Sequence, residues 1–476
     1  MWPYRADTGR SRFRSELTCV TRLACCASFK AVNATTCRIL VASATFIPWN
    51  AAAQSPLTVE TAVRTALAHN ASLRAARAGA DEAVAHATEA RSGFFPRLSV
   101  TESWQRGDQP AFVFSSLLSA RRFTAADFAI DALNHPDPIG FFRTSLVVEQ
   151  SVFDGGRQRA AAATAALTKD IASTSVDQAA AGIAVATTQT YGRIVSAEAA
   201  KRAADAGAAV AREDHTRAEH RRDAGLATDG DVLSLVVHVA DLEQRAIQAQ
   251  SDAVAARAEL NRLMGTAIDA EVHVVEPISG TLAEFGEEFH VSALLAEADA
   301  ARPELKRAAA ASGIAERGWT QARSALVPQV AAQGAFEVSG TQFAERASSW
   351  IVGGELRWTF STGGAELAAL RAAGASMARA TAEADATRAA VHVDVVTAVG
   401  RIQAARAREA AGRAAVDEAR ESQRITRNRY EQGIASVSDV LRASSALLDA
   451  EMNRVTALVE GLVATADLHR ALGRAP

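Results

Sequence analysis

Cysteine is scarce in this chain of 476 residues, and its four copies all lie between residues 19 and 37. The remaining residues can therefore form no disulfide and no thiolate metal site. Aromatic residues make up only 5% of the chain, and nearly half of its 49% hydrophobic content is alanine. Large globular cores need bulkier side chains, whereas alanine is the best helix former. This composition predicts long helices that pack closely side by side.

Neither sign of charge dominates. The 51 Lys and Arg residues face 54 Asp and Glu residues, for a net charge of −3, so there is no excess of positive charge to suggest nucleic acid as a partner. Two glycine pairs, Gly155-Gly156 and Gly363-Gly364, lack the Lys-Ser/Thr that follows a phosphate-binding loop. We therefore predict neither a nucleotide nor another cofactor.

The first 53 residues have the pattern of an export signal. Basic residues (Arg22, Lys30 and Arg38) precede an apolar run over 39–47, and Ala51-Ala52-Ala53 then offers a cleavage site before Gln54. No later segment is apolar enough to predict a membrane-spanning helix. Such an exported chain is secreted, periplasmic or a β-barrel of the outer membrane.

Internal similarity divides the rest of the chain into two repeats. Leu73 and Leu305 are 232 residues apart, as are Pro96 and Pro328, and each proline ends a predicted helix. We predict a first repeat over 54–264, a connector over 265–290 and a second repeat over 291–476. Each repeat is expected to begin with a helix, over about 60–95 and 292–327.

Residues after each proline alternate with a period of two, which is typical of strands. The predicted strands are Leu98–Trp104, Thr144–Phe153, Gln329–Val338 and Trp350–Phe360, and a long loop joins the first two. One face is apolar and flanked by aromatic residues, as in a transmembrane β-barrel. Edges of a soluble sheet are the alternative interpretation.

Two long tracts without proline follow the strand pairs, over 156–225 and 364–433. At about 1.5 Å per residue, each predicts a helix roughly 100 Å long. Leu370, Met377, Ala384 and Val391 recur at sevens, as in a coiled coil. The predicted return helices, 229–264 and 437–472, are about half as long, so the helices at 60–95 and 292–327 are expected to complete their columns end to end.

The order helix, proline, strand, loop, strand, glycine pair, long helix and glycine hairpin occurs twice and resembles the TolC family of outer-membrane efflux proteins. The resemblance covers about residues 57–473. It implies a mainly α-helical fold with a membrane β-barrel part, in which each chain of a homotrimer gives four strands to a twelve-stranded barrel in outer-membrane lipid. The long helices would form an α-barrel in the periplasm.

The family resemblance also implies the function. The trimer would be a channel, not an enzyme, and would act as the exit duct for a periplasmic membrane-fusion adaptor and an inner-membrane pump of the RND or ABC type. The competing hypothesis is a periplasmic coiled-coil scaffold without channel activity.

The resemblance implies two groups of site residues at the periplasmic end. The adaptor-docking hairpin tips are Gly225, Leu226, Ala227, Gly433, Ile434 and Ala435, and the periplasmic gate is formed by Asp231, Tyr430 and Asp439. Tyr430 would bond a carboxylate such as Asp231 on a neighbouring hairpin, and Asp439 would form an acidic ring at the aperture. Ala435 and Arg442 depart from the family pattern. Alternatively, the glycines only end helices and the aspartates only stabilise helix N-termini.

Catalytic and metal sites find little support in the sequence. His215, Glu219 and His220 are the best candidates, but their spacing differs from the zinc-protease pattern His-x-x-Glu-His. They lie in a charged run, 212–223, which we interpret as a solvated helix face near the hairpin tip.

Overall fold

Long helices and one small sheet make up the protein, for which a computed structural model describes residues 56–275 and 289–474. The predicted export signal and most of the predicted connector lie outside the described residues. The elements are α1 (Val59–His69), α2 (Ala71–Ser92), β1 (Arg97–Gly107), α3 (Pro110–Ser119), a short 3-10 helix (Ala125–Phe128), α4 (Ile130–Asn134), β2 (Ile139–Phe153), α5 (Arg157–Asp223), α6 (Asp229–Met264), α7 (Val291–Ala301), α8 (Pro303–Ser324), β3 (Gln329–Gln342), β4 (Glu345–Arg357), α9 (Ala365–Glu431) and α10 (Val437–Leu472).

The two longest helices, α5 and α9, have 67 residues each, within one or two residues of the predicted tracts. Each begins after a glycine in the left-handed region, Gly156 at φ 88° and Gly364 at φ 68°. Glycine reaches this conformation without strain, so the chain can reverse sharply from strand to helix. The return helices α6 and α10 have 36 residues each and begin and end at the predicted residues.

The helices predicted over 60–95 and 292–327 are each interrupted, which corrects the prediction. Asn70 lies between α1 and α2 in extended conformation, and its side chain accepts hydrogen bonds from the N–H groups of Ser72 and Leu73. Those groups would otherwise lack partners in the first turn of a helix. Arg302 separates α7 from α8 because Pro303 disfavours the helical conformation of the residue before it.

The interruptions are the points where the short helices meet the ends of the return helices. Asn70 Nδ2 donates to the carbonyl of Leu263 in the last turn of α6 at 2.9 Å. At the equivalent place, Arg302 Nη1 donates to the carbonyl of Arg470 in the last turn of α10 at 3.0 Å. Both bonds go to carbonyls in the last turn of a helix; that of Arg470 also accepts from the N–H of Gly473, which caps α10. The short helices thus continue the columns of α6 and α10.

Large apolar side chains are concentrated in the middle of the long helices. Tyr191 and Ile194 of α5 are buried against Leu260 of α6 and against α1. The Tyr191 Oη lies 2.8 Å from the carbonyl of Leu57 and accepts a hydrogen bond of 2.9 Å from the N–H of Val275. The Tyr191 side chain therefore ties Leu57 and Val275, which lie at the two ends of the described stretch 56–275, to α5.

The predicted heptad seam of α9 is only partly covered within the chain. Val391, Val395 and Ile402 are buried against α7 and α10. Met377, nearer the sheet, is 37% exposed. The part of the seam nearer the sheet is therefore exposed enough to pack against further helices.

The four strands form one antiparallel sheet in the order β1-β2-β3-β4. All four predicted strands are present, but β4 ends at Arg357, before Trp358 and Phe360. The loop between β1 and β2 contains α3, the 3-10 helix and α4, which the sequence analysis did not predict. The connection from β3 to β4 is the turn 343–344. None of the helices in the described part of the chain is long and apolar enough to cross a membrane.

Candidate functional site

The sheet has one apolar face and one polar face, because residues paired across antiparallel strands point to the same side. The apolar face carries Leu98, Val100, Trp104, Phe142, Leu146, Val148, Phe336, Val338, Trp350, Val352 and Leu356. Trp350 is 77% exposed and Val352 is 73% exposed. The other face is mainly polar and carries Arg97, Thr101, Ser103, Arg143, Ser145, Glu149, Gln333, Glu337, Ser349, Glu355 and Arg357, together with the apolar residues Phe141, Val147 and Ile351. The described residues of the chain leave the side chains of Trp350 and Val352 largely uncovered.

A polar cluster interrupts the apolar face near the end that carries the turn 343–344. Arg346 Nη2 lies 3.2 Å from Glu102 Oε1, and Arg346 Nη1 donates to the Thr144 hydroxyl at 2.5 Å. The Thr144 hydroxyl in turn donates to Glu102. The Arg346 guanidinium also stacks 3.8 Å from the centre of the Phe343 ring. These hydrogen bonds lower the cost of removing the three polar groups from water, although the buried Arg346 Nε has no partner among the described residues.

Both edges of the sheet are open. In the described part of the chain, β1 pairs only with β2 and β4 only with β3. An exposed edge strand presents unpaired N–H and C=O groups that another strand can pair with. The sheet is therefore suited to continue into strands of further chains.

At the other end of the molecule, two hairpins have the same backbone turn. After α5, the N–H groups of Gly225 and Leu226 bond the carbonyls of Arg222 and Arg221 at 2.8 and 2.7 Å. After α9, the N–H groups of Gly433 and Ile434 bond the carbonyls of Tyr430 and Arg429 at 3.0 and 2.9 Å. This is the Schellman arrangement, which needs a left-handed residue after the helix. Gly225 and Gly433 supply it, with φ values of 74° and 75°.

The six predicted docking residues occupy these two turns. Leu226 is 70% exposed and Ile434 is 71% exposed, whereas Ala227 and Ala435 are half-buried. A side-chain carbon built on Gly225 would meet no atom within 4 Å. Each tip therefore presents one large apolar side chain, and at the first tip it lies beside a bare stretch of backbone, whereas Gly433 lies close to the Arg221 guanidinium.

Asp231 and Asp439 lie at equivalent places, in the first turns of α6 and α10. The Asp231 carboxylate accepts from the N–H and hydroxyl of Thr228 at 3.0 and 2.9 Å. The Asp439 carboxylate accepts from the same groups of Ser436 at 3.1 and 2.7 Å. Both pairs are capping boxes, which stabilise a helix start. Within one protomer, the two aspartates thus have the helix-stabilising role that the sequence analysis kept as an alternative.

Hydrogen bonds and a nearby positive charge change the pKa of the Asp439 carboxyl. The bonds from Ser436 lower the pKa of this carboxyl, and Arg442 adds a smaller effect in the same direction. Arg442 Nη1 lies 3.2 Å from Asp439 Oδ1. The residue that departs from the family pattern therefore neutralises part of the predicted acidic ring.

Tyr430 is buried between the two hairpins, in an apolar cluster with Ala218, Val232, Leu235 and Val437. Its Oη is buried and has no hydrogen-bond partner among the described residues, and it makes no bond to Asp231. Burial raises the pKa of the phenol. A buried hydroxyl without a partner is costly, by about 1–3 kcal/mol. The predicted Tyr430 link therefore does not form within a single protomer.

Arginines of α5 and α9 join the two hairpins instead, and the sequence analysis missed them. Arg217 Nη1 lies 2.7 Å from Glu431 Oε1, and Arg427 Nη2 lies 3.0 Å from Asp214 Oδ1. The Asp214 side chain is 8% exposed, and burial raises the pKa of its carboxyl in opposition to the two arginines. The interpretation of 212–223 as a solvated face is therefore wrong for Asp214, which points into the second hairpin. Asp214 lies at helical spacing with Ala211 and Ala218, which are both buried, and this spacing was the signal available in the sequence.

The residues considered for metal or catalysis lie near the end of α5. His215 Nδ1 lies 3.8 Å from Glu219 Oε2 on the same helix, and His220 is exposed. Over residues 56–275 and 289–474, no group of three or more His, Cys, Asp or Glu side chains is placed to hold a metal ion.

Comparison with known proteins identifies the family. The sequence model described as outer membrane efflux protein matches residues 62–266 and 294–474. The chain therefore belongs to the outer membrane efflux protein family, whose members are TolC-like channels, and this confirms the resemblance seen in the sequence. No curated protein sequence matches the chain significantly.

Solved structures share the fold at low sequence identity. The outer membrane protein VceC from Vibrio cholerae matches with a TM-score of 0.72 and 21% identity, over 87% of this chain and 96% of VceC. The Campylobacter jejuni outer membrane channel CmeC matches with a TM-score of 0.74 and 16% identity, over 87% of this chain and 85% of CmeC. The open state of the Neisseria gonorrhoeae channel MtrE matches with a TM-score of 0.70 and 17% identity, over 88% of this chain and 89% of MtrE.

Proposed function

We propose that three copies of this chain assemble into an outer-membrane channel with a duplicated architecture. Each copy contributes four strands to a closed twelve-stranded barrel, and the helices continue the barrel as a periplasmic duct. The observation that carries this proposal is the sheet itself, which is open at β1 and β4 and exposes Trp350 and Val352. In lipid, every backbone polar group must be paired, so only a closed sheet can span the membrane.

The two faces of the sheet fit the two environments of such a barrel. The apolar face matches lipid, and the polar face, with Arg143 and Glu337 at 4.0 Å, matches a water-filled lumen. Closed threefold symmetry removes the exposed edges, since β4 of one copy then pairs with β1 of the next. The competing hypothesis, a periplasmic scaffold, would leave the same tryptophan and valine side chains in water.

The hairpin tips form the docking surface for a periplasmic membrane-fusion adaptor, which connects the duct to an inner-membrane pump of the RND or ABC type. Leu226 and Ile434 provide exposed apolar anchors, and the bare backbone at Gly225 permits close approach of a partner helix. A rigid base supports the tips, because Arg217 and Arg427 tie the two hairpins together. Preorganised surfaces bind partners with a smaller loss of conformational entropy.

The same end of the duct forms the gate. In this proposal the buried phenol of Tyr430 is satisfied by a neighbouring carboxylate, Asp231, when the hairpins repack in the closed trimer, and Asp439 lines the aperture. Three copies of Asp439 near a common axis would repel one another and favour cations. Arg442 weakens that field in this chain, because its guanidinium lies beside Asp439.

Fractionation and mass measurement test the assembly. The protein should be found in outer-membrane fractions, and the detergent-extracted form should have the mass of three chains and migrate as a heat-modifiable trimer. A monomer that stays in the soluble periplasmic fraction would favour the scaffold instead.

A further inference from the structure

The β1–β2 loop, residues 108–138, is folded onto the sheet, whereas the β3–β4 connection is a tight turn. Phe112 of α3 meets Phe141 of β2 edge-to-face, with ring centres 6.4 Å apart. Phe141 is 3% exposed. It is two and four residues before Arg143 and Ser145 in β2, so it lies with them on the polar face. Ser339, the register partner of Arg143, is also buried, at 1% exposure. The helix α3 therefore covers the polar face of β2 and β3.

Two arginines anchor the end of α3 to the second strand pair. Arg122 Nη1 donates to Thr341 Oγ1 at 2.7 Å, and Arg121 Nη2 donates to the carbonyl of Ser348 at 2.9 Å. Arg121 has a positive φ of 55°, a conformation that costs about 1–3 kcal/mol for a residue other than glycine. Such strain persists only where surrounding contacts hold the backbone in place. The loop thus has a defined position over the sheet.

The helix α3 presents an apolar side away from the sheet. Val113, Ser116 and Ala120 are buried, one turn apart, on the side that faces the strands. On the opposite side, Phe114 is 37% exposed and packs edge-to-face against Phe123 of the same loop, with ring centres 4.9 Å apart. Leu118, four residues later, is 57% exposed. Because the polar face of the sheet is the lumen side of the proposed barrel, Leu118 points toward its axis.

We propose that three copies of α3 meet inside the barrel and form an apolar constriction at its outer mouth. This inference rests on the proposed trimer. Twelve strands about 4.8 Å apart and tilted by about 40° enclose a barrel about 24 Å across. A helix with its side chains is about 10 Å wide. Three such helices on the inner wall leave little open space at the axis.

The occupant of the exposed side of α3 is thus the same helix of the other two copies. The end of the sheet that holds α3 is opposite the end that joins α2, α5, α8 and α9, so it is the outer end of the proposed duct. Narrow apolar constrictions gate ions by dewetting, and this one limits ion flow in series with the gate at the hairpin tips rather than abolishing it. The channel then has a barrier at its outer mouth in addition to the gate at the hairpin tips.

Cysteine cross-linking tests this constriction, because the sequence has no cysteine after residue 37. In the detergent-purified protein, Leu118→Cys is expected to form covalent dimers with an oxidant or a short bis-maleimide. Ser115→Cys, a milder change on the same exposed side, should do the same if Leu118→Cys does not fold. The parent protein and Val352→Cys, exposed on the apolar face, are the controls and should remain uncross-linked.

Mass measurement on the same samples separates the two proposals. A trimer in which neither Leu118→Cys nor Ser115→Cys cross-links would overturn the outer constriction and leave the channel proposal intact. A protein that is not trimeric would overturn the channel proposal and the constriction with it. Cross-linking that is as strong for Val352→Cys as for Leu118→Cys would also contradict the constriction, since the apolar faces of the three sheets lie outside the proposed barrel.

Discussion

Arg221 of the first hairpin holds Tyr430 of the second from two sides. Its guanidinium carbon lies 4.8 Å from the centre of the Tyr430 ring, and its Nη1 donates to the Tyr430 carbonyl at 2.6 Å. That carbonyl is in the last turn of α9 and also accepts from the N–H of Gly433 in the turn that follows. One arginine therefore fixes both the ring of the predicted gate residue and the end of the helix that carries it.

Replacement of Arg221 should loosen the periplasmic end. A hydrogen bond from a charged group contributes about 1.5–3 kcal/mol, and the cation–π contact adds about 0.5–2 kcal/mol. We expect Arg221→Leu to raise single-channel conductance several-fold. Arg222→Leu is the matched control, because Arg222 bonds Asp223 of its own hairpin at 2.7 Å. Equal conductance in both variants would show that Arg221 does not restrain the gate.

The two faces of β4 should tolerate a charge differently. Trp350 and Ser349 are neighbours in sequence and point to opposite sides of the sheet. A lysine in place of Trp350 would enter lipid, at a cost of about 2–4 kcal/mol near the middle of the membrane. We expect Trp350→Lys to reduce the yield of outer-membrane trimer strongly and Ser349→Lys to leave it near the parent level. The reverse ranking would mean that the faces are assigned the wrong way round.

The exposed apolar side chains at the tips should determine adaptor binding. Leu226→Asp with Ile434→Asp replaces both anchors with charges, and buried unpaired charges are costly at an interface. We expect loss of export and of in-cell cross-linking to the adaptor, with trimer yield unchanged. Gln432→Asp, an exposed polar position in the second turn, is the control. If export survives the double replacement, the adaptor docks elsewhere.

Asp439 should make the stability of α10 depend on pH. Hydrogen bonds from Ser436 lower the pKa of Asp439 in the folded state, so the ionised form stabilises the fold above the ordinary pKa of an aspartate, about 3.9. That stabilisation is lost as pH falls through the lowered folded-state pKa. We expect Asp439→Ala to melt below the parent protein at pH 7 and the difference to vanish in acid. Ser438→Ala, at an exposed neighbouring position, should match the parent at both pH values.

The long helices could be predicted closely from the sequence because their signals are local. Glycine marks the start and end of each long helix, Thr228 and Ser436 cap the return helices, and proline is absent in between. The strands could be predicted because apolar and polar residues alternate along each of them with a period of two. The breaks at Asn70 and Arg302 were harder to place, since the surrounding helical pattern continues across them.

The tip network and the fold of the β1–β2 loop could not be predicted, because both depend on contacts between distant segments. Asp214 and Arg427 belong to different hairpins, and nothing near either residue in sequence indicates the pair. The contact between the rings of Phe112 and Phe141 likewise depends on the pairing of β1 with β2. The burial of Tyr430 has the same origin. Local spacing predicts elements, whereas these contacts depend on the packing of the two repeats.

Single-channel recording in planar lipid bilayers tests the central claim most directly. The purified protein should insert and give discrete conductance steps, and Tyr430→Phe with Asp231→Ala should give larger steps, because the proposed link between adjacent hairpins is removed. Equal steps in the parent and the double variant would contradict the gate assignment. A pure, folded protein that never produces a conductance step in any variant would contradict the channel itself.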